Sequence, residues 1–216
     1  MEVLLLFGTS LFVGLSGAMT PGPLLMVNIA EVAKRGFWAG PGVALGHSLL
    51  ELFTVILLAM GLSPLLQSGV VPGVIGLLGG LFLLWMSTNM IRSAPTLSLS
   101  RTVLSTTATS RSGPVIAGVT ASISNPYWLL WWATVGASFL TTSMAWGVAG
   151  VAAFYLGHIS ADFTWYTFVA AIVATGRRYL TDSVYRGLIF ACALFLLALG
   201  VLFVLAGVGI LRGMAV

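Results

Sequence analysis

Gly46-His47-Ser48-Leu49-Leu50-Glu51 and Gly157-His158-Ile159-Ser160-Ala161-Asp162 repeat one pattern, a Gly-His pair followed four positions on by an acid, inside long apolar runs. Each follows an apolar run interrupted by proline: Thr20-Pro21-Gly22-Pro23 in the first half and Asn125-Pro126 in the second. Imidazoles and carboxylates are costly at membrane depth. Helix breaks in matching positions of two halves are the best sequence pointer to a transporter's binding site.

The 216 residues are 59% hydrophobic and only 6% charged. A soluble domain carries about a quarter charged residues, so this composition belongs in a bilayer. Nine basic residues against five acidic ones are too few and too scattered for a nucleic-acid surface, and they read as topology signals. Cys192 is the single cysteine. That excludes an internal disulfide, a Cys-x-x-Cys redox pair and a thiolate cluster. The N-terminal stretch 1–18 lacks the basic start of a signal peptide and reads as a retained first span.

Six apolar runs emerge: Val3 to Ala30, Phe37 to Leu62, Val70 to Ile91, Val115 to Leu140, Ala145 to Thr175 and Gly187 to Leu211. Each exceeds the ~20 residues that a spanning helix needs. The Ser- and Thr-rich stretch Arg92 to Arg111, with Pro95, reads as a linker. The expected fold is therefore all-α, a single transmembrane domain of six helices. Repeat one covers 1–92, the linker 93–112 and repeat two 113–216, with helices 1 and 4 broken near the midplane.

Basic residues sort by side. Lys34 and Arg35 fall in the first connection, Arg92, Arg101 and Arg111 in the third, and Arg177, Arg178 and Arg186 in the fifth, with Arg212 alone opposite. The positive-inside rule makes those connections cytoplasmic and puts both termini outside. Three spans per half then force opposite insertion of the halves, an inverted repeat. Gly73-Val74-Ile75 with Leu81-Phe82-Leu83-Leu84, against Gly187-Leu188-Ile189 with Leu194-Phe195-Leu196-Leu197, extends the likeness to spans three and six.

Proline inside a helix removes a hydrogen bond and crowds the carbonyl four residues back. In lipid the freed groups are tolerated only against protein or a watery cavity. Pro21, Gly22 and Pro23 with Asn125 and Pro126 are thus expected to bound a polar pocket, where a half-helix N-terminus suits a carboxylate. His47 shares a helix face with Glu51, and His158 with Asp162. A central carboxylate costs about 2.5–3.5 kcal/mol to insert, so two cost about 5–7, a penalty worth keeping only for a function. Glu51 and Asp162 are the candidates to pair a substrate ammonium or carry protons. The histidines either join them or simply hold them in place. Thr20, Asn28, Asn89, Tyr127 and Trp128 are secondary candidates, with Asn125 placed to cap the second half-helix. Trp131, Trp132, Trp165 and Tyr166 suit either a cation–π lining or core packing.

Two alternatives remain at this stage. His47, Glu51, His158 and Asp162 are also a plausible divalent-metal set, and a non-transporting membrane scaffold would use the same residues structurally. No nucleophile–His–acid pattern points to an enzyme. Gly76-x-x-Gly79-Gly80 lacks the strand and lysine of a phosphate loop and suits close helix packing, which also permits a homodimer. No cofactor is implied.

At these residues the chain resembles the lysine exporter (LysE/RhtB) family of amino-acid exporters. The match runs through Thr20-Pro21-Gly22-Pro23, the basic turn Lys34-Arg35-Gly36, Gly40-x-Gly42-x-x-x-Gly46-His47 with Glu51, and Asn125-Pro126 before a hydrophobic helix. The resemblance implies a six-span exporter in a prokaryotic plasma (inner) membrane. It would move amino acids or related small metabolites out of the cytoplasm with the proton gradient. Leu24 stands where many members carry a polar residue, and Leu50 precedes Glu51 where the family often has Gly before Asp. The family's lysine or threonine specificity therefore does not carry over.

Overall fold

The computed structural model describes residues 2–62, 70–96, 113–176 and 181–213, and among these every regular element is a helix. The linker arginines Arg101 and Arg111, and Arg177 and Arg178, lie outside the described residues.

The first apolar run forms two helices, α1 (Glu2–Ala18) and α2 (Pro23–Arg35), whose axes differ by 79°. The sequence dictates the break. Pro21 has no N–H to continue the ladder and pushes Thr20 away from helical geometry. Gly22 is extended, at φ −165°, and Pro23 opens α2 at a position where its missing N–H costs nothing. Lys34 and Arg35 end α2 where cations favour the helix dipole, and Gly36 (φ +87°) turns the chain.

Helix α3 (Ala39–Leu57) continues through a π turn, Leu58–Leu62, and α4 spans Val70–Ser93. The fourth run is split as expected at Asn125. Helix α5 (Pro114–Ile123) stops, and α6 (Pro126–Trp131) restarts on a cap in which Asn125 Oδ1 accepts the Tyr127 N–H at 3.1 Å. A π turn, Trp132–Gly136, then leads into α7 (Ala137–Met144). Helices α8 (Gly147–Thr175) and α9 (Asp182–Gly213) complete the order.

Among the described residues three stretches are long and apolar enough to cross a bilayer, Ala39–Gly61, Gly73–Thr96 and Asp182–Gly213, and the bent α1–α2 pair makes a fourth. Helix α8 is 29 residues long, but Tyr155, His158, Ser160, Asp162, Thr164 and Tyr166 interrupt its apolarity. The outer surface is greasy. Leu4, Phe12, Trp38 and Val148 are each more than 70% exposed, whereas Glu31, Glu51, Asp162, His47 and His158 are buried. A soluble protein has the opposite polarity.

Glycines set how closely the helices pack. Glycine stripes on α4 and α9 interlock, since a Cβ on Gly76 would meet Gly207 Cα at 3.1 Å and one on Gly80 would meet Gly200 O at 2.8 Å. The Gly76–Gly80 stripe is thus used within the chain. Helix α1 lies on α8, where a Cβ on Gly157 would sit 2.4 Å from Phe7 O. Helix α5 lies on α3, where one on Gly46 would sit 1.9 Å from Val115 O. Each Gly-His pair therefore has its glycine pressed on the backbone of a neighbouring helix, which fixes the histidine beside it.

Candidate functional site

His47 and Glu51, on successive turns of α3, and His158 and Asp162, on successive turns of α8, face one another. Glu51 is the hub. Its Oε1 lies 3.2 Å from His47 Nε2, 3.0 Å from His158 Nε2 and 3.2 Å from Trp132 Nε1. A carboxylate oxygen only accepts, so with Glu51 ionised each of these nitrogens donates. Asp162 is held more loosely, 3.8 Å from His47 Nε2 and 3.7 Å from His158 Nε2, both beyond hydrogen-bond reach.

The two histidines differ at their other nitrogen. His47 Nδ1 lies 2.6 Å from Ser122 Oγ, and that hydroxyl donates to Gly118 O at 2.7 Å. Since Ser122 has one hydrogen, its oxygen accepts from His47 Nδ1–H. Gly118 permits this approach, as a Cβ there would lie 2.1 Å from Val43 O. His158 Nδ1 has no hydrogen-bond partner among the described residues and faces Gly14, where an added Cβ would lie 2.9 Å away. The His158 ring instead stacks on Trp131, with centroids 4.4 Å apart and planes 27° apart.

Beside this cluster is a small cavity of about 40 Å³, room for roughly three waters. Thr20, Pro21 and Gly22 from the first break line it, with Leu24 and Leu25 from the start of α2. Asn125, Tyr127, Trp128 and Trp131 enter from the second break, and His47, Glu51, His158, Asp162, Tyr166 and Leu196 complete the wall. Both breaks and all four ionisable candidates thus meet in one chamber.

Four of the sequence candidates lie elsewhere. Pro23 and Pro126 begin their helices but do not line the cavity. Asn28 is fully buried below it, its Nδ2 donating to Tyr166 O at 3.0 Å. Asn89 is absent from the lining as well.

Unpartnered polar atoms define what the chamber can bind. Among the described residues, Glu51 Oε2 and Asp162 Oδ2 are buried acceptors with no donor, and Trp128 Nε1 is a buried donor with no acceptor. No side chain caps the start of α2, and the first N–H groups of a helix lack intrahelical acceptors. The site therefore offers both carboxyl acceptors and hydrogen-bond donors. It also offers the beginnings of a metal set, since ligand atoms of His47, Glu51 and Asp162 lie within 4.8 Å of one another.

A family model described as LysE type translocator matches residues 15–207. The chain belongs to that family. It is a translocator family, so the protein's role is membrane transport, as the resemblance through Thr20-Pro21-Gly22-Pro23 and Gly46-His47 implied. No curated protein and no solved structure gives a significant match.

Sequence reasoning missed Ser122 and Glu31. Ser122 looked like any small residue in an apolar run; its place one turn after Gly118 was the only signal. Glu31 is 1% exposed and takes the Arg35 Nε–H at 2.7 Å, while its other oxygen has no partner among the described residues. Its place four residues before Arg35 was the only signal.

Proposed function

We propose that this chain is a secondary transporter that exports amino acids or related small metabolites from the cytoplasm in exchange for protons. One observation carries the reading. The chamber pairs unsatisfied anionic acceptors, Glu51 Oε2 and Asp162 Oδ2, with the unsatisfied donor Trp128 Nε1 and the uncapped start of α2. That is the complement of a zwitterion, whose ammonium donates and whose carboxylate accepts. An unpaired buried polar group costs about 1–3 kcal/mol, so a ligand that satisfies several at once is strongly favoured over an empty chamber.

The coupling follows from competition for one oxygen. Three donors crowd Glu51 Oε1. An arriving ammonium would replace the imidazole donors there, and protons returning to the carboxylates or histidines would release the cargo.

An inverted six-span repeat accounts for the packing. The first helix of each broken run lies on the His-bearing helix of the other half, α1 on α8 and α5 on α3, while α4 and α9 pair with each other. A pseudo-twofold axis generates these relations. In this reading residues 1–92 and 113–216 are the repeats. Lys34, Arg35, Arg92 and Arg186 mark the cytoplasmic side of a prokaryotic inner membrane, and both termini face out.

The test is counterflow of labelled amino acids in proteoliposomes. Glu51→Gln and Asp162→Asn should each abolish it, and wild-type rates in both would overturn the assignment. The clustering of His47, Glu51 and Asp162 favours a divalent cation as the second reading. That reading requires saturable binding of the cation by calorimetry, lost in His47→Ala.

A further inference from the structure

The polar chamber has an apolar neighbour. Between α4, α6 and α9 lies a pocket of about 240 Å³, walled by Leu130, Val135, Phe203 and Ile210 over Gly76 and Gly207. Tyr127 and Trp131 belong to both linings. They are four residues apart on α6 and therefore lie on one face, about 5–6 Å apart between Cβ atoms.

These two rings form a partition with a polar side and an apolar side. Trp131 stacks on His158 in the chamber. Tyr127 stacks on Phe203 in the pocket, with planes only 3° apart, while its Oη accepts the Thr20 hydroxyl at 3.3 Å on the chamber rim.

We propose that this pocket receives the side chain of the transported amino acid, and that the cargo is an amino acid with a bulky apolar side chain. The inference rests on the zwitterion reading of the chamber. With the ammonium at Glu51 and Asp162 and the carboxylate toward Trp128, the side chain passes between Tyr127 and Trp131 into the apolar space. The chamber, with room for roughly three waters, is too small to enclose a large side chain by itself. Among the described residues the pocket lining contains no ionisable side chain other than the Tyr127 phenol, so lysine, arginine or glutamate would leave a charge stranded there. A hydrophobic pocket discriminates by about 10–200-fold per methylene, which makes size the expected basis of selection.

The experiment is counterflow with the full chain in proteoliposomes, using leucine, methionine and phenylalanine against alanine, serine and lysine. Wild type should carry the bulky apolar set at least about tenfold faster than the others. Ala206→Phe, filling the pocket from α9, should lower the bulky set at least tenfold and leave alanine and serine unchanged. Val135→Phe approaches from α6's side and should do the same, which guards against a variant that fails to insert. Equal rates for alanine and leucine, with no shift in either variant, would overturn the pocket assignment and leave the amino-acid reading standing. Uniform loss across the panel in both well-inserted variants would overturn it too. Co-purified phospholipid that either variant displaces without a change in preference would make the pocket a lipid site instead. Transport of no amino acid by wild type would remove both readings.

Discussion

Replacing Gly46 by alanine adds one methyl group, and the structure says where it must go. The new Cβ would lie 1.9 Å from Val115 O and 2.7 Å from Val115 C. Ordinary contact begins near 3.4 Å, so α3 and α5 would have to part by about 1.5 Å. The obstacle is backbone, which cannot swing aside as a side chain would. Alanine in a helix is intrinsically better than glycine by about 1 kcal/mol, so open space would make the change stabilising. Overpacking a filled interior costs about 1–3 kcal/mol and sometimes more, and two displaced helices belong at the upper end. The same movement would stretch the 2.6 Å His47–Ser122 contact to about 4 Å, past hydrogen bonding. The assay is the apparent melting midpoint of detergent-solubilised protein, alongside counterflow. Gly46→Ala should melt several degrees lower, at about 2–4 °C per kcal/mol for a chain of this size, and lose transport. Gly187→Ala, with nothing within 4 Å of its added Cβ, is the control and should match or exceed wild type. A Gly46→Ala protein that melts with the control would refute the proposed helix contact.

Other perturbations probe single contacts. Trp132→Phe removes one of three donors to Glu51 and should destabilise by about 1–3 kcal/mol, read as a lower melting midpoint. Asn125→Ala deletes the cap on Tyr127 N and should cost about 1 kcal/mol, with transport slowed because Tyr127 and Trp128 follow directly. Arg35→Gln strands buried Glu31. The expected loss is about 1–3 kcal/mol, below the 3–5 of a fully buried pair because the Arg35 side chain is 34% exposed. Double replacement with Glu31→Gln should recover most of it in the same melting assay.

The membrane character and the helix breaks were legible because they depend on composition and on proline, whose effects are local. So was the placing of each histidine on one helix face with the acid four residues on, a matter of helix period, although His158 turns to Glu51 at 3.0 Å and not to its own Asp162. Long-range geometry was not legible. Nothing in the runs around Ser122 or Leu196 says that the first holds His47 and the second reaches the chamber, since which faces meet depends on packing between helices distant in sequence. Pro23 and Pro126 were expected at the site because they mark the breaks. Pro126 packs toward Gly79 of α4, where an added Cβ would lie 3.5 Å from its own, and the chamber is built by the neighbours Gly22, Asn125 and Tyr127. Glu31 escaped notice because its burial comes from α2 lying back against α3 and α8, a consequence of the 79° bend.

Thr20 offers the most direct test that both breaks and all four ionisable groups enclose one chamber that cargo enters. In a protein carrying Cys192→Ala and Thr20→Cys, a water-soluble maleimide should label position 20, and a transported amino acid should slow that labelling. Absence of labelling, or labelling that no cargo slows, would contradict the account.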